Sequence, residues 1–187
     1  MGRKSNTDER RAQIVQALQQ EMAAVGYERA SIKSIAARAG LTSGLLHYHF
    51  KSKEAVLLAL IDGLIEQADA GFELILASRF SAASKLAAFV SSRVGLGAQA
   101  DAAQVKAWVC ILAEAMGQPK VRSRIARWID GDHARLEALL RANDDSEPRD
   151  KAAAVIAAII GSFSLHAVQA KGMPAGYAEK QILKMLG

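Results

Sequence analysis

Apolar residues recur every three or four positions through most of the chain, the spacing of one buried face on an α-helix. Ile14, Ala17, Leu18, Met22 and Val25 predict a first helix from Thr7, as its cap, to Val25, with Gly26 ending it. Ile32, Ile35, Ala36 and Ala39 predict a short second helix, opened by Ser31 and stopped by Gly40. Thr42 opens a third, whose buried side is expected at Leu45, Leu46 and either His49 or Phe50. Two helices of about eight residues are too short to persist alone. Residues 7–50 therefore read as a three-helix unit. From Ser52 onward, Val56, Leu57, Leu60, Ile61, Leu64, Ile65 and Phe72 carry a long fourth helix with no Gly/Pro-rich linker before it. Further helices are predicted at 81–94, 101–116, 119–142, 149–171 and 175–186, with Gly172 and Pro174 closing the penultimate one. The stretch 149–171 is apolar nearly all round. No strand pattern or sequence repeat is evident.

Composition agrees with an all-α fold of nine helices. Hydrophobic residues make up 51% of the 187, aromatics only 5%, and there are three prolines. The expected division is a small head, residues 1–52, and a larger helical body, residues 53–187. One cysteine, Cys110, excludes an intrachain disulfide framework and points to a reducing cytoplasm. The polar start "MGRKSNTDERR" does not look like a secretory signal, and no run of 18 apolar residues suggests a membrane span. Residues 1–55 carry nine Lys/Arg against five Asp/Glu, and residues 56–187 carry fifteen against fourteen. A cationic head on a nearly neutral body suits a polyanionic partner, and equally suits solubility alone.

Two short helices joined by a tight turn form a helix-turn-helix, whose second helix fits a DNA major groove. Ala36 is small where the helices cross, Gly40 takes the turn, and Leu46 fills the angle between them. On the outward side, Thr42, Ser43, His47 and Tyr48 offer hydrogen bonds to bases or phosphates, and Gly44 permits close approach. Ser31, Lys33 and Lys53 stand at helix starts where phosphate is favoured. Arg3 and Lys4 could form a flexible arm along the DNA. Thr42 also serves as a helix cap whether or not it meets phosphate. His47, His49 and His133 have no metal-site spacing, so no metal is expected.

The stretch "SIKSIAARAGLTSGLLHYHFKSKEAVL", residues 31–57, resembles the DNA-binding domain of the TetR family of transcriptional regulators. The pieces that carry the resemblance are "IAARAG", "LTSGLL" and "HFKSKEAVL". It implies a three-helix reader joined by a long helix to a helical domain that binds a small-molecule effector and dimerises. It further implies repression of palindromic double-stranded operator DNA, released by the effector. Phosphate roles are implied for Thr42, His49 and Lys53, and core roles for Ala36, Gly40, Leu46 and Phe50. Ser43, Gly44 and Tyr48 fall where the family approaches bases or backbone. His47 departs from the tyrosine common there. The "GLLHYHF" form is similar to a BetI-like branch, although no choline ligand is carried over from it.

A sensing body needs a cavity, and its candidate walls are Leu64, Phe72, Phe89, Trp108, Leu112, Met116, Trp128 and Phe163. Trp108 and Trp128 could hold a planar or cationic effector of unknown identity, or could simply be core. Ala154, Ala157, Ala158 and Gly161 would let a second copy of the apolar helix approach closely in a homodimer. Alternatives are an all-helical enzyme and a protein-interaction module. The first lacks paired carboxylates, a nucleophile–base set or a phosphate loop, so no catalytic residue and no cofactor are expected. The second does not explain the cationic face of residues 31–53.

Overall fold

The computed structural model describes residues 2–94, 102–168 and 176–186, with side chains from residue 6 onward. Nine helices and no strand occur among the described residues. They are α1 (Gly2–Val25), α2 (Ile32–Arg38), α3 (Ser43–His49), α4 (Lys53–Leu76), α5 (Ala82–Val94), α6 (Ala102–Gly117), α7 (Pro119–Arg141), α8 (Pro148–Ala167) and α9 (Tyr177–Met185). The expected helices match these closely. The main difference is at α1, which starts at Gly2 rather than Thr7 because nothing in the residues before Thr7 breaks a helix. The backbone proposed as a flexible arm is thus helical, while the side chains of Arg3 and Lys4 lie outside the described residues. So do Gly172 and Pro174.

Packing divides the chain into two compact units. One comprises Met1–Leu64 with Ala102–Arg122, and the other Ile65–Asp101 with Ser123–Gly187. The division does not fall at residue 52, because the first half of α4 and all of α6 pack with the head. In the first unit α1 lies against α2, α3 and α6. Its core is Ile14, Leu18, Met22, Ile35, Leu46, Leu57 and Ile61, each no more than 2% exposed. At roughly 1.5–3 kcal/mol per fully buried aliphatic side chain, these residues supply the drive that α2 and α3 lack on their own.

In the second unit α5, α8 and α9 pack on one another around Leu86, Phe89, Val90, Val155, Ile159, Phe163 and Ile182. Apolar all round in sequence, α8 is not buried all round. Ala152, Val155, Ile156, Ile159, Ser162 and Phe163 face inward, while Ala153, Ala154, Ala157, Gly161, Ser164, Leu165 and Val168 are exposed. By length and composition alone, α8 is the one helix among the described residues apolar enough to cross a membrane.

Candidate nucleic-acid interface

Backbone chemistry at both ends fixes α2 and α3. Ser31 accepts a hydrogen bond from Ser34 N–H at 3.0 Å, and the Ser34 hydroxyl accepts one from Ser31 N–H at 3.0 Å, a reciprocal box. At the other end Gly40 adopts φ +67°, which any Cβ would strain. That turn lets Leu41 N–H reach Ala36 O at 2.9 Å and Gly40 N–H reach Ala37 O at 3.1 Å, satisfying two orphan carbonyls. Thr42 then opens α3, its hydroxyl accepting from Leu45 N–H at 3.2 Å.

Three cationic side chains tie these short helices to the rest of the unit. Arg11 on α1 donates to His49 O at 2.6 Å and lies 4.1 Å over the Phe50 ring. Arg38, exposed on α2, pairs with Glu21 of α1 at 3.0 Å. Lys53 donates to Tyr27 O at 2.9 Å, Glu28 O at 3.3 Å and Ala30 O at 2.8 Å. Sequence periodicity missed all three, since it reports which residues are apolar and not which charges find a carbonyl.

With Leu46 and Phe50 buried four residues apart, the opposite face of α3 is free. Tyr48 is 75% exposed, and His47 and Gly44 are exposed as well. Ser43 is half-buried, and so is His49, whose ring meets the Tyr48 ring edge-on at 5.1 Å. Leu45 is 40% exposed, which corrects the expectation that it anchors the helix. A helix of seven residues has one narrow buried stripe, and Leu45 lies about 100° round from Leu46. Inside the unit nothing demands glycine at 44, where a Cβ would meet only Thr42 Oγ1 at 4.0 Å. Ser31, Lys33 and Lys51 are exposed alongside.

Behind this face, Tyr27 joins the α1–α2 turn to α6. Burial first, then the carboxylates of Glu114 and Glu54, push the Tyr27 phenol up to about 12, against a hydrogen bond with Gln118 that lowers it. The folded chain therefore holds this proton more tightly than the unfolded chain. Its contribution to stability is complete below pH 10 and is lost as the pH rises toward 12. Urea unfolding between pH 9 and 12 should show this loss in the wild type, and Tyr27→Phe should lack that part of it. Cys110 sits nearby, half-buried, its sulfur 3.8 Å from Met22 O, and burial pushes its thiol up.

Three of the expected wall residues are buried in the second unit. Phe72 and Phe89 are fully buried against each other, centroids 5.1 Å apart, and Phe163 is core. Trp128 borders a void of about 10 Å³, room for a single water. Leu64, Trp108, Leu112 and Met116 belong to the first unit, where Met116, at the end of α6, is 78% exposed. A larger hollow of about 350 Å³ opens between α8 and α9, lined in part by Ala158, Gly161, Leu165, Tyr177, Ile182 and Met185. Two of the four small residues expected to meet a second copy, Ala158 and Gly161, line it, and Ala154 and Ala157 are exposed on the same helix.

The sequence reading also missed an ion-pair network. Arg93, its side chain 1% exposed, donates from Nε to Asp132 at 2.6 Å and from its terminal nitrogens to Asp132 at 2.8 Å, Asp69 at 2.6 Å and Ala68 O at 2.6 Å. Arg135 adds contacts to Asp69 at 2.9 Å and Asp132 at 3.2 Å. The guanidinium of Arg93 lies 5.2 Å from the Phe89 ring centroid and 5.8 Å from that of Phe72. A lone arginine in the apolar run "LAAFVSSRV" was the available signal.

Residues 14–60 match the family described as bacterial regulatory proteins, tetR family. The chain is 32% identical over 114 residues to the HTH-type transcriptional regulator BetI of Serratia proteamaculans, covering 60% of this chain and 57% of that protein. It is 39% identical over 66 residues to the HTH-type transcriptional regulator EthR of Mycolicibacterium smegmatis, covering 35% of this chain and 30% of that protein. The aligned region thus spans a little over half of one relative and under a third of the other. A transcriptional regulator from Rhodococcus sp. Rha1 has the same fold over 95% of this chain and 94% of its own, with a TM-score of 0.84 at 21% identity. So does a protein from Saccharomonospora viridis solved in complex with choline, over 96% and 94%, with a TM-score of 0.78 at 20% identity. Residues 14–60, which hold the helix-turn-helix built on α2 and α3, are thus similar to the tetR family of bacterial regulatory proteins, with BetI among the relatives that the longer alignment reaches.

Proposed function

We propose that the chain is a homodimeric, effector-controlled transcriptional regulator, acting in the cytoplasm as a repressor on palindromic double-stranded DNA and catalysing no reaction. The observation that carries this reading is the free outer face of α3 on a helix held rigid from behind. His47 and Tyr48 stand clear of the core, Ser43 lies beside them, and Gly44 leaves the backbone approachable. In this reading those four meet base edges or the adjacent backbone in the major groove. Thr42, His49, Ser31 and Lys33 meet phosphates around them.

Two copies joined through the exposed small-residue face of α8 and the hollow beside α9 would present two readers to one palindrome. Support comes from an apolar surface exposed on a single chain, which solubility disfavours unless something covers it. The effector stays unidentified. Choline is the ligand of the Saccharomonospora viridis protein. In this chain the aromatic pair Phe72 and Phe89, with Asp69 and Asp132, already surrounds the chain's own cation, Arg93.

The test is selection of a duplex from a random pool by the wild type, followed by titration with Tyr48→Ala. Tyr48 is exposed, so the variant should keep the wild-type unfolding midpoint. Operator binding should weaken about 10-fold or more, the equivalent of one lost base or backbone contact. Failure to enrich any sequence, or unchanged affinity in the variant, would remove the outer face of α3 from DNA recognition.

A further inference from the structure

The sequence places Lys53 among the residues that meet phosphate, yet its ammonium is already occupied within the first unit. A lysine ammonium carries three N–H donors and no acceptor. Here three carbonyls surround it, Tyr27 O at 2.9 Å, Ala30 O at 2.8 Å and Glu28 O at 3.3 Å. The Tyr27 ring lies beside it, its centroid 4.2 Å from Nζ. These groups all lie in the turn between α1 and α2, and Ala30 directly precedes Ser31, the residue whose box opens α2.

Resting on the DNA-binding reading above, we propose that Lys53 is a positioning residue for DNA recognition, its ammonium clasping the α1–α2 turn so that α2, and through it α3, is presented at a fixed angle from the start of α4. The chain of rigid joints is continuous. Lys53 fixes the turn that ends at Ala30, the Ser31–Ser34 box fixes the start of α2, and the Gly40 turn passes that orientation to α3. To reach a phosphate the ammonium would have to abandon three charge-assisted bonds to carbonyls, and a phosphate in mostly aqueous surroundings would return little of that loss.

The two roles differ in salt dependence. A lysine on phosphate contributes to the slope of log K against log[salt], by about 0.9 for each contact. A positioning lysine changes K without changing the slope. Lys53→Met and Lys33→Met would be titrated with the duplex selected by the wild type, from 50 to 300 mM salt and well below each variant's unfolding midpoint. Lys53→Met is expected to lose about 10-fold or more in affinity at every salt concentration with an unchanged slope. Lys33→Met should flatten the slope by about 0.9. A flatter slope in Lys53→Met would make Lys53 a phosphate contact and overturn the proposal. Unchanged affinity of folded Lys53→Met would leave it a purely structural residue and overturn it equally. If Lys53→Met does not fold, NMR of the lysine ammonium groups in the wild type decides. The Lys53 signal should persist in free protein, shielded from water, and show no hydrogen-bond coupling to phosphorus in the complex. Such a coupling would overturn the proposal. Should the wild type itself select no duplex, the regulator reading fails instead.

Discussion

Arg93→Ala is expected to destabilise the chain by about 3–5 kcal/mol, a large share of the roughly 5–15 kcal/mol that holds a domain folded. The guanidinium serves two carboxylates and one carbonyl at once, and its side chain is 1% exposed. Alanine removes every donor and leaves Asp132, 5% exposed, with Arg135 alone at 3.2 Å. The void already present beside Trp128 would enlarge, adding a cavity cost to the electrostatic one. Lysine would not rescue the site, since a point charge cannot reproduce a bidentate fork. The double variant Arg93→Met with Asp132→Leu is expected to lose less than Arg93→Ala alone, because no charge is then stranded in the interior. Urea unfolding of the wild type, the alanine variant and the double variant measures this directly. Equal stability of Arg93→Ala and the wild type would mean that water solvates the carboxylates without difficulty.

Ala157→Glu is expected to leave each chain folded and to abolish the proposed dimer. Ala157 is exposed on α8, so a carboxylate there can stay in water in a single chain. In an isologous contact the substitution enters the interface twice, so two carboxylates would be drawn out of water at a face that is apolar in both copies. Sedimentation should give the mass of one chain, and the unfolding midpoint should lose its dependence on protein concentration. Operator affinity should then fall on the order of 100- to 10,000-fold, because the second reader no longer binds at the effective concentration set by its tether. A variant that still sediments as a dimer would place the interface elsewhere.

Much of the fold was legible because its signals are local. Gly26 and Gly40 marked helix ends by the backbone angle they permit, Ser31, Thr42 and Ser52 marked starts by their side-chain oxygens, and Ile14, Leu18 and Met22 marked a face by their spacing. The helix-turn-helix was legible for the same reason, since its helices, turn and buried Leu46 lie within twenty residues. What pairs residues far apart in sequence was not legible. Arg93 finds Asp132 across 39 positions, and Arg11 finds His49 across 38. No periodicity encodes such a partner. Lys53 was assigned to phosphate from its place at a helix start, and only the folded turn of 26–30 reveals three carbonyls waiting for it. An effector pocket is not legible for the converse reason. Apolar side chains that point inward from several helices usually fill space, as Phe72 and Phe89 do, and a cavity depends on packing detail that composition does not carry.

The central claim is that the outer face of α3 meets DNA, and hydroxyl-radical footprinting of the protein tests it most directly. Oxidation of Tyr48, 75% exposed, and of Phe80, 62% exposed in the second unit, would be followed with and without the selected duplex at saturating concentration. Tyr48 should be protected several-fold when DNA is added, while Phe80 keeps the rate it has in the free protein. Unchanged oxidation of Tyr48 in a sample where the DNA is demonstrably bound would show that another surface holds it.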